Sequence, residues 1–433
     1  MTASLHHADL HGLRKAKYDW LNDHDVLTTD WQPLTPDSPF HLFKPQDTRS
    51  RDEFLALRDI QACMPVNVIG FQTHRDHYAI AEERETIEAR VEQLRNGALT
   101  IGEYAAKHGL RGEDRVLEAR RQLRGMENWQ VPVVRCLFRP FDRRWCYLSI
   151  VAMDRPRPQL IAHVAGKKNL CLLLIRQMMD AIPYSHVLAT DLPAIDRSFA
   201  CSRGAATAFP LYLYPGEGEL FEDARWPAGQ DGRRPNLSAE FVEEFAEKLG
   251  LTFVSDGRGD RKKTFGPEDV FHYAYAVFHS PTYRRRYAEF LKIDFPRLPL
   301  TSDGGLFAKL CGLGEELVGL HLLQRVPRPE ATYPVNGDNE VTRTGKKAYK
   351  PPTRQAAGRV YVNDAQYFEG VPPEVWGFHV GGYQVCEKWL KDRKGRVLSY
   401  DDIETYRKIT EAIRRTIRLT AEIDAAIPSW PVE

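Results

Sequence analysis

The sequence predicts an α+β fold, with a mixed-sheet core, a helical spacer ahead of it and a helical C-terminal part. Three observations carry this. Short apolar runs rich in β-branched and aromatic residues cluster between 129 and 215, separated by Pro, Asp and Gly. On either side, apolar residues recur at helical spacing: Ile80, Ile87, Val91 and Leu94 form one stripe, and Ile403, Tyr406, Ile413 and Ile417 another. Good N-cap residues stand at helix starts, at Ser238, Ser280 and Ser399.

The chain has 433 residues, enough for about two to four units with a sizeable core. Its formal net charge is +1, so any polyanion-binding surface must come from local segregation of charge. Seven scattered cysteines include no Cys-x-x-Cys pair, which fits reduced thiols in a cytoplasm and offers no metal cage. There is no basic-then-apolar leader pattern, and no apolar run approaches the length that spans a membrane.

Residues 1 to about 50 are hydrophilic and broken by repeated prolines, with Trp20, Trp31, Leu34, Phe40 and Phe43 spaced irregularly. A helix is expected over Asp52–Met64, then a strand over Val66–Phe71 that ends in Thr73-His-Arg-Asp76. His74 and His77 are spaced like ligands but have no carboxylate or cysteine cluster beside them, so no metal site is assigned. The stripe from Ile80 to Leu94 reads as a helix ended by Asn96-Gly97. Short helices follow over Ile101–Lys107 and Glu113–Leu123.

The stretch Leu137–Tyr147 lies between two apolar runs, with Pro140 and Asp142 at its turn, and predicts a hairpin. Arg135, Arg139, Arg143 and Arg144 crowd it, with Asp142 the only local acid. Two readings stand side by side: a solvated edge protected by charge, and a surface that holds phosphates. A strand over Leu170–Ile175 ends in Arg176-Gln177. A second, His186–Thr190, runs into Asp196-Arg-Ser198 and Ser202-Arg203, and a third covers Phe209–Tyr214. Arginine beside Gln, Ser or Asp thus recurs at strand ends, and Arg and Gln suit purine edges.

Residues 216–237 read as a loop. Ser238 caps a helix to Leu249, with Leu237 and Val242 as a staple. Helices follow over Glu268–Phe278, Pro281–Leu291 and Leu306–Leu323. From Val341 to Arg359 there are six cations and no acid, which reads either as a solvated loop or as a clamp for a polyanion. Strands over Arg359–Val362 and Gln366–Phe368 precede a helix over Tyr383–Lys391 and the basic stretch to Arg396. Ser399 with Asp402 forms a capping box for a long last helix, Asp401–Ile423.

Several of these motifs occur together, in order, in one known family. Arg139-Pro-Phe-Asp-x-Arg144, Arg155-Pro-Arg157, Arg176-Gln177 and Phe209-Pro-Leu-Tyr-Leu-Tyr-Pro215 resemble the C-terminal specificity region of type ISP restriction–modification enzymes. So do Tyr273-Ala-Tyr-Ala-Val-Phe-His-Ser-Pro and Gly381-Gly-Tyr-Gln-Val-Cys-Glu-Lys-Trp. These enzymes sit within a wider group of fused adenine-specific DNA methyltransferases.

The resemblance implies a cytoplasmic DNA-recognition module arranged as follows: 1–60 a linker after a methyltransferase domain, 61–128 a strand and helical spacer, 129–325 the target-recognition domain, and 326–433 a basic loop and helical subdomain. The implied partners are double-stranded DNA and a methyltransferase domain or subunit, with no membrane. Candidate base readers are Arg75, Arg139, Arg144, Arg157, Arg176, Gln177, Arg197 and Ser198. Candidate phosphate contacts are Lys346, Lys347, Lys350, Lys391, Arg393 and Lys394.

No Asn-Pro-Pro-Tyr-like tetrapeptide or Gly-rich cofactor loop occurs. No catalytic residue and no cofactor are therefore expected in this chain, and S-adenosylmethionine is expected only in an associated methyltransferase. A regulatory subunit of a separate methyltransferase is the alternative reading. A stand-alone nuclease is disfavoured, because the carboxylates form no Pro-Asp…Glu-x-Lys pattern.

Overall fold

Cys171–Leu174 is buried at every position because it is an inner strand of a four-stranded sheet. Thr207–Pro210 pairs along one edge of it and Val187–Thr190 along the other, with Val68–Ile69 outside Thr207–Pro210, and all pairings are antiparallel. The register matters for function. Leu174 pairs with both Val187 and Thr207, and Thr207 pairs with Ile69. One end of this central sheet therefore gathers segments 70–76, 175–177, 182–186 and 204–206.

The structure, a computed structural model, describes residues 4–36, 38, 41–45, 47–178, 182–199, 204–216 and 227–432. Ser202, Arg203 and much of the expected 216–237 loop lie outside the described residues. The chain divides into two units, Met1–Asp52 and Glu53–Glu433. In the first, Leu5–His7 pairs antiparallel with Gln32–Leu34, and the helix Arg14–Asp23 buries none of its residues.

In the second unit the expected hairpin forms from Val133–Arg139 and Asp142–Tyr147, with Ile80–Ala81 added along the far edge. Ile80, which the helical stripe included, is instead paired with Cys146, and the helix starts later, at Arg84–Asn96. Ile87, Val91 and Leu94 still pack on the hairpin's inner face, with Cys136, Cys146 and Tyr147. The hairpin is joined to the segment between the central strands Val187–Thr190 and Thr207–Pro210 through Leu137, whose amide donates to the Pro193 carbonyl at 2.9 Å.

Pro267–His279 packs on Gly304–His321, which packs on the C-terminal helix Tyr400–Ala426. Gly314 permits the first contact, since a Cβ there would collide with the His272 carbonyl oxygen. The last helix begins with the expected capping box: the Ser399 hydroxyl accepts from the Asp402 amide, and the Asp402 carboxylate accepts from the Ser399 amide. The fold is thus α+β, of helices and small, mostly antiparallel sheets.

Two expected helices are cut short by strand pairing. The one over 52–64 is interrupted where Arg58–Asp59 pairs with Arg297–Leu298. The one over 383–391 starts at Val385, because Tyr383–Gln384 folds back on His379–Val380 around Gly381. The helix Pro158–Val164 was not foreseen.

Candidate nucleic-acid interface

Topology brings five of the eight candidate base readers to the same end of the central sheet. Arg176 and Gln177 follow Leu174 directly and are exposed, Arg176 with 65% of its side chain in solvent. The nearest acid to Arg176 is Asp294, at 3.7 Å. Phe71 bridges Ile195, so the segment carrying Arg75 runs beside the one carrying Arg197 and Ser198. Gln72 ties the two together: its amide donates to the Asp196 carboxylate at 2.8 Å. Arg197 points outward, with 54% of its side chain exposed.

Gln72 also pairs with Arg155, which carries 155–157 to the neighbourhood. Arg157 is half-buried and holds φ +62°, a left-handed conformation that turns the chain into the helix Pro158–Val164. Arg75 is largely committed. Its guanidinium pairs with Asp154, which also takes His74 Nδ1 at 2.7 Å. Burial would push the Asp154 carboxyl up, but hydrogen bonds from His74 and Arg75 outweigh it and hold the carboxyl below its usual range.

Three candidates are placed differently from the expectation. Ser198 is fully buried, and its hydroxyl donates to the Ile195 carbonyl at 2.7 Å, closing a turn. Arg139 has 12% of its side chain exposed and donates to the carbonyls of Phe138, at 2.8 Å, and Arg197, at 3.1 Å. Arg144 grips the buried Asp142 carboxylate through two nitrogens, at 3.0 and 2.8 Å, and covers the Phe138 ring. Arg144 braces the hairpin from within, and Arg139 ties it to the segment carrying Arg197.

Arg393 completes that cluster. It is buried, pairs with the other oxygen of Asp142 at 3.0 Å and lies over the Trp389 ring at 3.6 Å. Its neighbours Lys391 and Lys394 are exposed, as are Lys346, Lys347 and Lys350. The turn Gly345–Ala348, which carries Lys346 and Lys347, packs on the helix Val385–Lys391. The exposed lysines therefore sit on adjoining elements, and Arg393 lies beneath them as a structural cation.

The sequence reading missed the hairpin His379–Gln384. Gly381 donates its amide to the Ser185 carbonyl at 3.2 Å, and Arg139 lies over the Tyr383 ring at 5.4 Å. The hairpin thereby reaches the end of the central sheet where Arg176, Gln177 and Arg197 gather. Exposed His379 has its Nδ1 at 2.7 Å from the Gly377 carbonyl, so Nδ1 carries the proton of the neutral ring and Nε2 is the acceptor. Gly381-Gly382 between strand-forming residues was the available signal.

Among the described residues no group of three or more His, Cys, Asp or Glu could hold a metal ion, and no helix is long and apolar enough to cross a membrane.

A match to the Type ISP C-terminal specificity domain runs over residues 62–422, most of the chain, and the protein belongs to that family. The fold recurs in solved structures. The DrdV–DNA complex has 18% sequence identity and a TM-score of 0.69 over 94% of this chain and 42% of that one. A nuclease-deletion mutant of the Type ISP restriction–modification enzyme LlaGI, in complex with a DNA substrate mimic, has 16% identity and a TM-score of 0.66 over 99% of this chain and 33% of that one. The ATP-dependent Type ISP enzyme LlaBIII bound to DNA has 18% identity and a TM-score of 0.66 over 93% of this chain and 26% of that one. This chain thus spans less than half the length of each. No curated protein matches.

Proposed function

We propose that this chain is the sequence-reading module of a restriction–modification adenine methyltransferase, and that methyl transfer belongs to an associated domain or subunit. The observation that carries the reading is the gathering of Arg75, Arg176, Gln177 and Arg197 at one end of one sheet. Family membership supports it, as does a fold shared with the DrdV–DNA complex and with two DNA-bound Type ISP restriction–modification enzymes.

The chemistry follows from side-chain geometry. An arginine fork matches guanine O6 and N7, and a glutamine amide matches adenine N7 and N6. Arg176 and Gln177, adjacent and exposed past a buried strand, are the best-presented pair, with Arg197 beside them and Arg157 one bridge away. Lys346, Lys347, Lys350, Lys391 and Lys394 supply charge to the phosphate backbone, which positions the protein without reading sequence. Arg139, Arg144 and Arg393 keep the hairpin and the C-terminal part in place beneath this surface. No S-adenosylmethionine site belongs to this chain in this reading, and the module works in the cytoplasm beside duplex DNA.

Salt-dependent electrophoretic shift with duplex DNA tests the proposal, run with and without a matching methyltransferase subunit. Binding that weakens steeply with salt is expected. Absence of a shift under both conditions overturns it.

A further inference from the structure

Beyond the expected lysines, the three-stranded sheet Tyr349–Lys350, Arg359–Tyr361 and Tyr367–Glu369 has two different faces. Pairing places Tyr349, Val360 and Phe368 in one row, which faces inward; Val360 and Phe368 are fully buried. Lys350, Arg359 and Glu369 form another row, and Tyr361 and Tyr367 a third, both on the opposite face, where Lys350 is exposed, Arg359, Glu369 and Tyr367 are half-buried and Tyr361 keeps 8% of its surface in solvent. On that face the cations converge on phenol rings. Lys350 Nζ lies 4.6 Å and Arg343 Cζ 5.2 Å from the centre of the Tyr361 ring. Arg359 lies over Tyr367 at 4.4 Å, and the two tyrosine rings are 5.1 Å apart.

The acids nearby do not balance this charge. Residues 341–369 hold six Lys and Arg against Asp364 and Glu369 alone. Glu369 pairs with Arg359 at 2.7 Å, while Asp364 is fully exposed and 3.9 Å from Arg343. Nothing acidic is paired with Lys350, Lys346 or Lys347 among the contacts of the described residues. Like charges held together on one face repel, and a bound polyanion relieves that cost. Burial would raise the Tyr361 hydroxyl, yet hydrogen bonds from Arg359 and Lys350 outweigh it and hold the phenol below its usual value.

We propose that this face is a phosphate-binding platform: the Tyr361 hydroxyl donates to a non-bridging phosphate oxygen while Lys350, Arg343 and Arg359 neutralise the charge. The ligand class is a phosphodiester backbone. The inference deepens the DNA-reading proposal and rests on it for the identity of the ligand. It adds a tyrosine and two arginines that lysine counting alone does not find. The platform carries no sequence information, so its contribution is the same on every duplex.

The test uses the full chain, a random-sequence duplex and two substitutions, with melting temperature as a folding control. Tyr361→Phe keeps the ring and removes the donor; it is expected to weaken duplex binding about three- to tenfold with an unchanged salt slope. Lys350→Ala is expected to weaken binding and make the salt slope shallower by about one unit. A second arm reads stabilisation by inorganic tripolyphosphate, expected for the wild type and reduced in both variants. If the wild type binds duplex and both variants match it, the platform is refuted and the DNA reading stands. If no duplex binds but tripolyphosphate stabilises in a Tyr361-dependent way, the DNA reading falls and the anion site survives. No response to either probe refutes both.

Discussion

Arg393 and Asp142 are separated by 251 positions in sequence and meet at 3.0 Å in a site where both side chains are almost wholly buried. Arg144 closes on the other oxygen of the same carboxylate. Burial alone would push the Asp142 carboxyl up, but the two guanidinium groups outweigh it and hold it ionised. The central hairpin is pinned to the C-terminal part at this point.

Removing one partner strands buried charge. Arg393→Ala is expected to cost about 3 kcal/mol, the lower end for a broken buried pair because Arg144 remains on Asp142. Urea unfolding of Arg393→Ala, Asp142→Ala and the double variant checks this: the double should cost clearly less than the sum of the singles. Additive costs would show that the pair is not coupled.

Acid should weaken the fold in a defined window. His186 is fully buried, neither ring nitrogen meets a partner among the described residues, and burial holds its pKa down at about 4. His272 is held at about 4 by the same cause. The folded state therefore refuses protons that the unfolded chain accepts below about 6.5. Stability is complete above that pH and falls as pH drops toward 4, by roughly 2–4 kcal/mol for each histidine. Denaturant midpoints across this range check it, and His186→Gln should flatten the curve. A wild-type midpoint that stays constant from pH 7 to about 4.5 would contradict the account.

Hairpin and reading-end arginines should behave differently. Arg139→Ala is expected to lower the melting temperature and leave sequence preference per folded molecule unchanged. Arg176→Ala and Gln177→Ala should melt near the wild type and lose about 1–3 kcal/mol of discrimination at one position each. Competition between preferred and scrambled duplexes, read beside the melting curves, separates the two groups.

The methyl donor should not bind. Calorimetric titration with S-adenosylmethionine is expected to show no heat of association, and micromolar binding would expose a site that the sequence motifs do not announce.

Local signals made much of the fold legible. The capping box at Ser399, the Ser238 cap and the apolar hairpin strands all appear where their chemistry puts them. Long-range pairing was not legible. Ile80 fits a helical stripe and a strand equally well, and only its partner Cys146 decides. Exposure of arginines failed for the same reason. Arg144 looks like surface charge until Asp142 is seen buried between it and the remote Arg393, and Arg139 until the Arg197 carbonyl is brought beside it. Arg176 and Gln177, with their strand already apolar throughout, needed only the strand end to be placed correctly.

Selection from a pool of randomised duplexes tests the central claim most directly, with the wild type and Arg176→Ala run in parallel at a fixed moderate salt concentration. A sequence-reading module should enrich one short motif, and Arg176→Ala should relax a single position within it while the other positions persist. Retention of duplex with no motif enriched by the wild type would contradict the claim and leave only a non-specific polyanion binder.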